Sequence, residues 1–168
     1  MTEAATQDRA AFVARFGSVF EHSPWIAEAA FDAGLPAEPW TPEGLHVAMA
    51  AALRAGSEEQ KRALIQAHPD LAGRLAQAGR LTAESTREQA AAGLDLLSDA
   101  ERARFTELNE RYKAKFGMPF IMAVKGRTKE EILAAFETRL ENDPAAEAAT
   151  ALEQIERIAL LRLKEMLP

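Results

Sequence analysis

Along most of the chain, apolar residues recur at spacings of three and four, the repeat that gathers one face of an α-helix. The last segment shows it best: Leu152, Ile155, Ala159, Leu163 and Leu167 form one stripe. Phe105, Leu108 and Tyr112 do the same on a long middle segment. The pattern predicts helices near 7–20, 43–55, 58–66, 70–78, 83–92, 99–115, 128–140 and 145–166. About eight helices and no strand make this an all-α chain, read as a single compact multi-helix domain over residues 1–168.

Start and stop signals support these bounds. Thr41-Pro42 is an N-cap followed by proline at the first helical position. Ser57 with Gln60, Ser98 with Glu101, and Thr128 with Glu131 have capping-box spacing. Gly56, Gly79, Gly93 and Gly126 stand where helices can end, and Asn142-Asp143-Pro144 marks a turn into the final helix. One segment breaks the pattern. Gly117-Met118-Pro119-Phe120-Ile121-Met122-Ala123-Val124 is short, apolar and interrupted by proline, so it reads as an extended, buried connection. Its backbone N–H and C=O groups must find partners, and a polar ligand can supply them.

Composition agrees with helix. Of the 168 residues, 48% are apolar, enough for a packed core. The net charge of −6 argues against non-specific nucleic-acid binding, which needs a basic surface. There is no cysteine, which excludes disulfides, thiolate nucleophiles and cysteine metal sites and suits a reducing cytoplasm. The N-terminus is polar and carries acids, unlike a signal peptide, and no apolar run is long enough to span a bilayer. The last residues, Lys164 to Pro168, do not form the Ser-Lys-Leu peroxisomal address. A cytoplasmic protein is expected.

Candidate chemistry centres on His68, in Ala67-His68-Pro69-Asp70-Leu71. The ring falls at a helix junction, and imidazole donates or accepts a proton near neutral pH. A helix-terminal histidine bonded to a carbonyl is the competing reading. His22, beside an entry turn, and His46, inside a helix, read as structural. Ser85 and Glu88 have capping-box spacing; a helix start there also offers N–H groups to an anion, and Glu88 could hold an imidazole. Arg162, between leucines, is a snorkelling side chain, an ion-pair partner or a carboxylate clamp. His68 and Asp70 lack a second histidine at metal-ligand spacing, and no glycine-rich phosphate loop is present.

Taken in order, these pieces resemble one family. The matching runs are Phe16-Gly17-x-Val19-Phe20-Glu21-x-Ser23-Pro24-Trp25, His68-Pro69-Asp70-Leu71 and Ser85-x-x-Glu88-Gln89-x-x-Ala92-Gly93-Leu94. They continue through Leu108-Asn109-x-x-Tyr112-x-x-Lys115-Phe116-Gly117-x-Pro119-Phe120-Ile121-x-Ala123-Val124-Lys125-Gly126 to Ile158-Ala159-x-Leu161-Arg162-Leu163. The chain resembles 2-oxo-4-hydroxy-4-carboxy-5-ureidoimidazoline (OHCU) decarboxylases, which form (S)-allantoin at the end of urate degradation. Met118 departs from the family, which usually has an aromatic there. The resemblance implies an all-helical homodimer and decarboxylation without cofactor or metal. It assigns catalysis to His68 with Glu88 as its partner. Substrate binding falls to Pro69, Ser85, Gln89, Arg162 and the backbone from Phe120 through Ile121 to Ala123. The absent peroxisomal tail fits a bacterial-type cytoplasmic enzyme. Two other readings compete. His-Pro-Asp between helices also marks J-domain co-chaperones, although the preceding helix here is mixed in charge and not basic. A catalytically inactive scaffold of the same fold is the other.

Overall fold

The structure is a computed structural model that describes residues 3–20, 23–68, 98–124 and 127–167. Among the described residues there are seven helices and no strand: α1 (Glu3–Phe16), α2 (Trp25–Ala33), α3 (Pro42–Ala55), α4 (Glu58–Ala67), α5 (Asp99–Phe116), α6 (Lys129–Leu140) and α7 (Pro144–Met166). The helices expected near 70–78 and 83–92 lie outside the described residues, as do Gly79, Gly93 and Gly126.

The capping signals act as read. Thr41 Oγ1 accepts from the Gly44 N–H at 3.0 Å, with Pro42 opening α3. Ser57 and Gln60 exchange hydrogen bonds at the start of α4. Full capping boxes start α5 at Ser98 and α6 at Thr128. Asp143 Oδ1 accepts from the Ala146 N–H and starts α7. Gly56 closes α3. Gly117 closes α5 at φ +66°, a left-handed conformation that suits glycine, and its N–H bonds to the Lys113 carbonyl.

Two expectations are corrected near the N-terminus. The first helix ends at Phe16 and not at residue 20, where Gly17 gives way to a pair of turns. No helix is predicted between residues 20 and 43, yet the nine-residue helix α2 lies there. It has Pro24 at its N-cap with no side-chain cap. A helix this short takes its stability from packing, so local signals under-report it. Ile26, Ala27 and Ala30 are its buried face.

The chain divides into two compact units. The first comprises Met1–Ala67 and Glu156–Pro168. There α2 packs on α1 and α3, and Phe12 meets Phe16, Phe31 and Trp40 at centroid distances of 5.1, 5.9 and 5.4 Å. The Arg9 guanidinium pairs bidentately with Asp32 at 2.8 and 2.9 Å, joining α1 to α2. The second unit runs from His68 to Ile155. There α5 packs on α6, the rings of Phe120 and Phe136 stack at 3.7 Å, and Tyr112 stands edge-on to both. On α7 the buried stripe includes Ala151, Ile155, Ile158, Ala159 and Leu163, whereas Leu152 and Leu167 sit at its margin.

Candidate functional site

His68 follows the last residue of α4 directly, in a bend, and is only 7% exposed. The helix therefore delivers an imidazole into the protein interior. Pro69, Ser85, Glu88 and Gln89 lie outside the described residues, as does His22. His46 keeps its structural reading: its Nε2 lies 2.9 Å from the Glu156 carbonyl oxygen. A carbonyl oxygen only accepts, so Nε2 carries the proton.

Arg162 belongs to the first unit and is 3% exposed, which removes the snorkelling reading. Its Nη1 donates to the Val19 carbonyl at 3.2 Å. Burying a guanidinium is costly without acceptors, and here a backbone carbonyl is one of them. Glu156, in the same unit, accepts a bidentate pair from Arg54 at 2.9 Å.

Phe120, Ile121 and Ala123 lie in the second unit, between α5 and α6, at 0, 2 and 5% exposure. The segment is non-helical and buried, as its proline and flanking glycine predict. Side chains supply partners for its backbone. Arg139 Nη1 on α6 donates to the Ile121 carbonyl at 2.6 Å. Gln154 Oε1 on α7 accepts from the Ala123 N–H at 3.0 Å. The Arg139 guanidinium also lies 4.3 Å from the centre of the Phe120 ring, a cation–π contact.

Arg139 is itself held. Its Nε donates to Glu147 Oε1 at 2.7 Å, and Glu147 is fully buried. The same carboxylate accepts from the Tyr112 hydroxyl at 2.6 Å and from Asn142 Nδ2 at 3.0 Å. A buried ion pair is tolerable only when further hydrogen bonds help satisfy the ions. Tyr112 and Asn142 do so for Glu147, and the Ile121 carbonyl does so for Arg139. Arg139 Nη2 is in ion-pair contact with Glu147 and makes no hydrogen bond among the described residues. Burial, and then the hydrogen bond to Glu147, push the Tyr112 phenol far above its ordinary value of 10.0. Tyr112 therefore stays a neutral donor.

Arg139, Glu147 and Gln154 were not legible as functional residues. Arg139 left one trace: it shares the buried face of α6 with Ile132, Phe136 and Leu140, where a charge is out of place. Glu147 lies in the first turn of α7, where an acid reads as an ordinary helix-dipole partner. Among the described residues, no group of three histidine, aspartate or glutamate side chains is placed to hold a metal ion.

Comparisons with known proteins complete the picture. Residues 5–164 match the model of the OHCU decarboxylase family. The chain is 41% identical over 159 residues to the 2-oxo-4-hydroxy-4-carboxy-5-ureidoimidazoline decarboxylase of Haloferax volcanii, covering 94% of this chain and 90% of that one. It is 39% identical to the protein of the same name from Bos taurus, covering 96% and 94%. A solved structure of an (S)-allantoin synthase superposes with a TM-score of 0.76 at 35% identity. That match covers 97% of this chain, which spans about half (52%) of the solved one. A second, an OHCU decarboxylase in the presence of (S)-allantoin, gives a TM-score of 0.63 at 25% identity, covering 84% and 89%.

Proposed function

The chain belongs to the OHCU decarboxylase family, and on that premise we propose that it decarboxylates OHCU to (S)-allantoin in urate degradation, without cofactor or metal. The observation that carries this reading is the family match from residue 5 to residue 164. A match of that extent supersedes the J-domain reading, which rests on a single tripeptide.

The substrate has a carboxylate and a hydroxyl on one ring carbon. When the bond to the carboxylate breaks, CO2 leaves, the electron pair forms a double bond to the neighbouring ring carbon, and the imine nitrogen of that carbon takes up a proton. The hydroxyl gives up its proton as it becomes a carbonyl. A proton added to one face of the neighbouring carbon sets the configuration of the product. The substrate's own ring accepts the electrons, so no external electron sink is required.

His68 handles the proton, and Glu88 orients its ring. A buried imidazole suits this role, because excluding water protects a carbanion-like intermediate from indiscriminate protonation. Arg162, Ser85 and Gln89 bind the polar edge of the substrate, with Pro69 and the backbone from Phe120 to Ala123 completing the contacts. The enzyme works as a cytoplasmic homodimer.

The test generates OHCU in situ from urate with urate oxidase and hydroxyisourate hydrolase, then adds this protein. Ultraviolet decay of OHCU and circular dichroism of allantoin are followed together. Accelerated decay with one enantiomer accumulating is the expected result. Decay at the spontaneous rate to racemic product would reject this substrate and favour the inactive scaffold.

A further inference from the structure

The non-helical segment between α5 and α6 is held from two helices. Arg139 on α6 takes the Ile121 carbonyl at 2.6 Å, and Gln154 on α7 takes the Ala123 N–H at 3.0 Å. The two anchored groups flank Met122. A backbone N–H can only donate, so the Gln154 amide must present its oxygen to Ala123. Arg139 is fixed by the fully buried Glu147 and packs over Phe120. Gln154, by contrast, is only part-buried. From this we infer that Gln154 is a positioning residue: with Arg139 as the fixed anchor, it sets the backbone orientation of Phe120 to Ala123 that receives the substrate. The inference rests on the substrate reading above, because the segment's task there is to bind OHCU.

The physical case is one of preorganisation. A segment without helix or sheet partners has no internal ladder to fix its peptide planes, so their orientation depends on outside hydrogen bonds. A binding group displaced by even a fraction of an ångström loses much of its worth. Tyr112, Asn142 and Glu147 immobilise Arg139, which makes one end of the clamp rigid. The hydrogen bond from Ala123 to Gln154 is the other end, and it can be removed without opening a charged cavity.

Two variants separate positioning from bulk stability. Gln154→Met keeps the length of the side chain and removes the acceptor. Gln154→Glu keeps an acceptor oxygen. Each is compared with the wild type by steady-state kinetics on OHCU generated in situ, by hydrogen exchange of the peptide spanning Gly117 to Val124, and by thermal melting. For Gln154→Met we expect KM to rise about 3- to 10-fold, the worth of one hydrogen bond, with little change in kcat and faster exchange in that peptide. Gln154→Glu should restore both values. Unchanged KM and unchanged exchange in Gln154→Met would overturn the inference. A uniform loss of kcat that tracks the melting temperature in both variants would also overturn it, reducing Gln154 to a packing residue. If the wild type fails to turn over OHCU while Gln154→Met still exchanges faster, the substrate reading falls and the positioning role falls with it, although the clamp stands as structure.

Discussion

The phenol of Tyr112 donates a 2.6 Å hydrogen bond to the carboxylate of Glu147, 35 residues further along the chain. Both side chains are fully buried. Through this bond α5 is tied to the first turn of α7, and Glu147 in turn holds Arg139 against the Ile121 carbonyl.

Tyr112 is the sole tyrosine, so its ionisation can be read directly from absorbance near 295 nm. Its folded-state pKa is raised above the ordinary 10.0. Its contribution to stability is therefore complete below pH 10 and is lost as pH rises beyond that value. We expect no tyrosinate signal from the folded protein at pH 10 to 11. The signal should appear only together with loss of far-ultraviolet ellipticity. Tyrosinate forming with an ordinary midpoint while the helices persist would contradict the buried hydrogen bond.

Replacing Glu147 with glutamine leaves the Arg139 guanidinium buried without its counter-ion. Breaking a buried pair from one side costs about 3–5 kcal/mol. The urea midpoint of Glu147→Gln should fall by that equivalent. A loss below about 1 kcal/mol would mean that solvent reaches Arg139.

His68→Asn retains a polar side chain of similar width and cannot transfer a proton near neutral pH. Turnover should fall about 10²- to 10⁴-fold, the usual contribution of a positioned general acid or base. Helicity measured by circular dichroism should be unchanged. Wild-type turnover in this variant would remove His68 from the mechanism.

Glu101 combines a capping box with an ion pair to Lys129 at 2.9 Å. The hydrogen bond from Lys129, followed by that from the Ser98 backbone, lowers its pKa from 4.5 to about 2. A depressed carboxylate stabilises the fold above its unfolded value, and the effect fades as pH falls toward the folded one. The difference in urea midpoint between wild type and Glu101→Gln should be constant from pH 5 to 7 and shrink as pH drops below 4.5. A difference that grows on acidification would reverse the assignment.

Helix starts and stops were legible in the sequence because each cap is a local contact. Thr41, Ser57, Ser98, Thr128 and Asp143 all bond within their own first turns. The ordered motifs from Phe16 to Leu163 were likewise enough to identify the family. The buried, non-helical character of Met118 to Val124 followed from its proline, the preceding glycine and its apolar content. Helix α2 escaped notice because it has no side-chain cap and depends on neighbours for its stability.

What the segment's backbone bonds to was decided only in three dimensions. Arg139 shows locally only as a charge on the apolar face of α6, Glu147 as an ordinary first-turn acid, and Gln154 as an ordinary polar position on α7. Their partners lie 18 and 31 residues away in the case of Ile121 and Ala123, and 35 in the case of Tyr112. Periodicity places a residue on a face of its own helix, but it cannot say which face of another helix will meet it. That choice belongs to the packing of α5, α6 and α7, where a buried charge persists only if the acceptors and donors of distant segments converge on it.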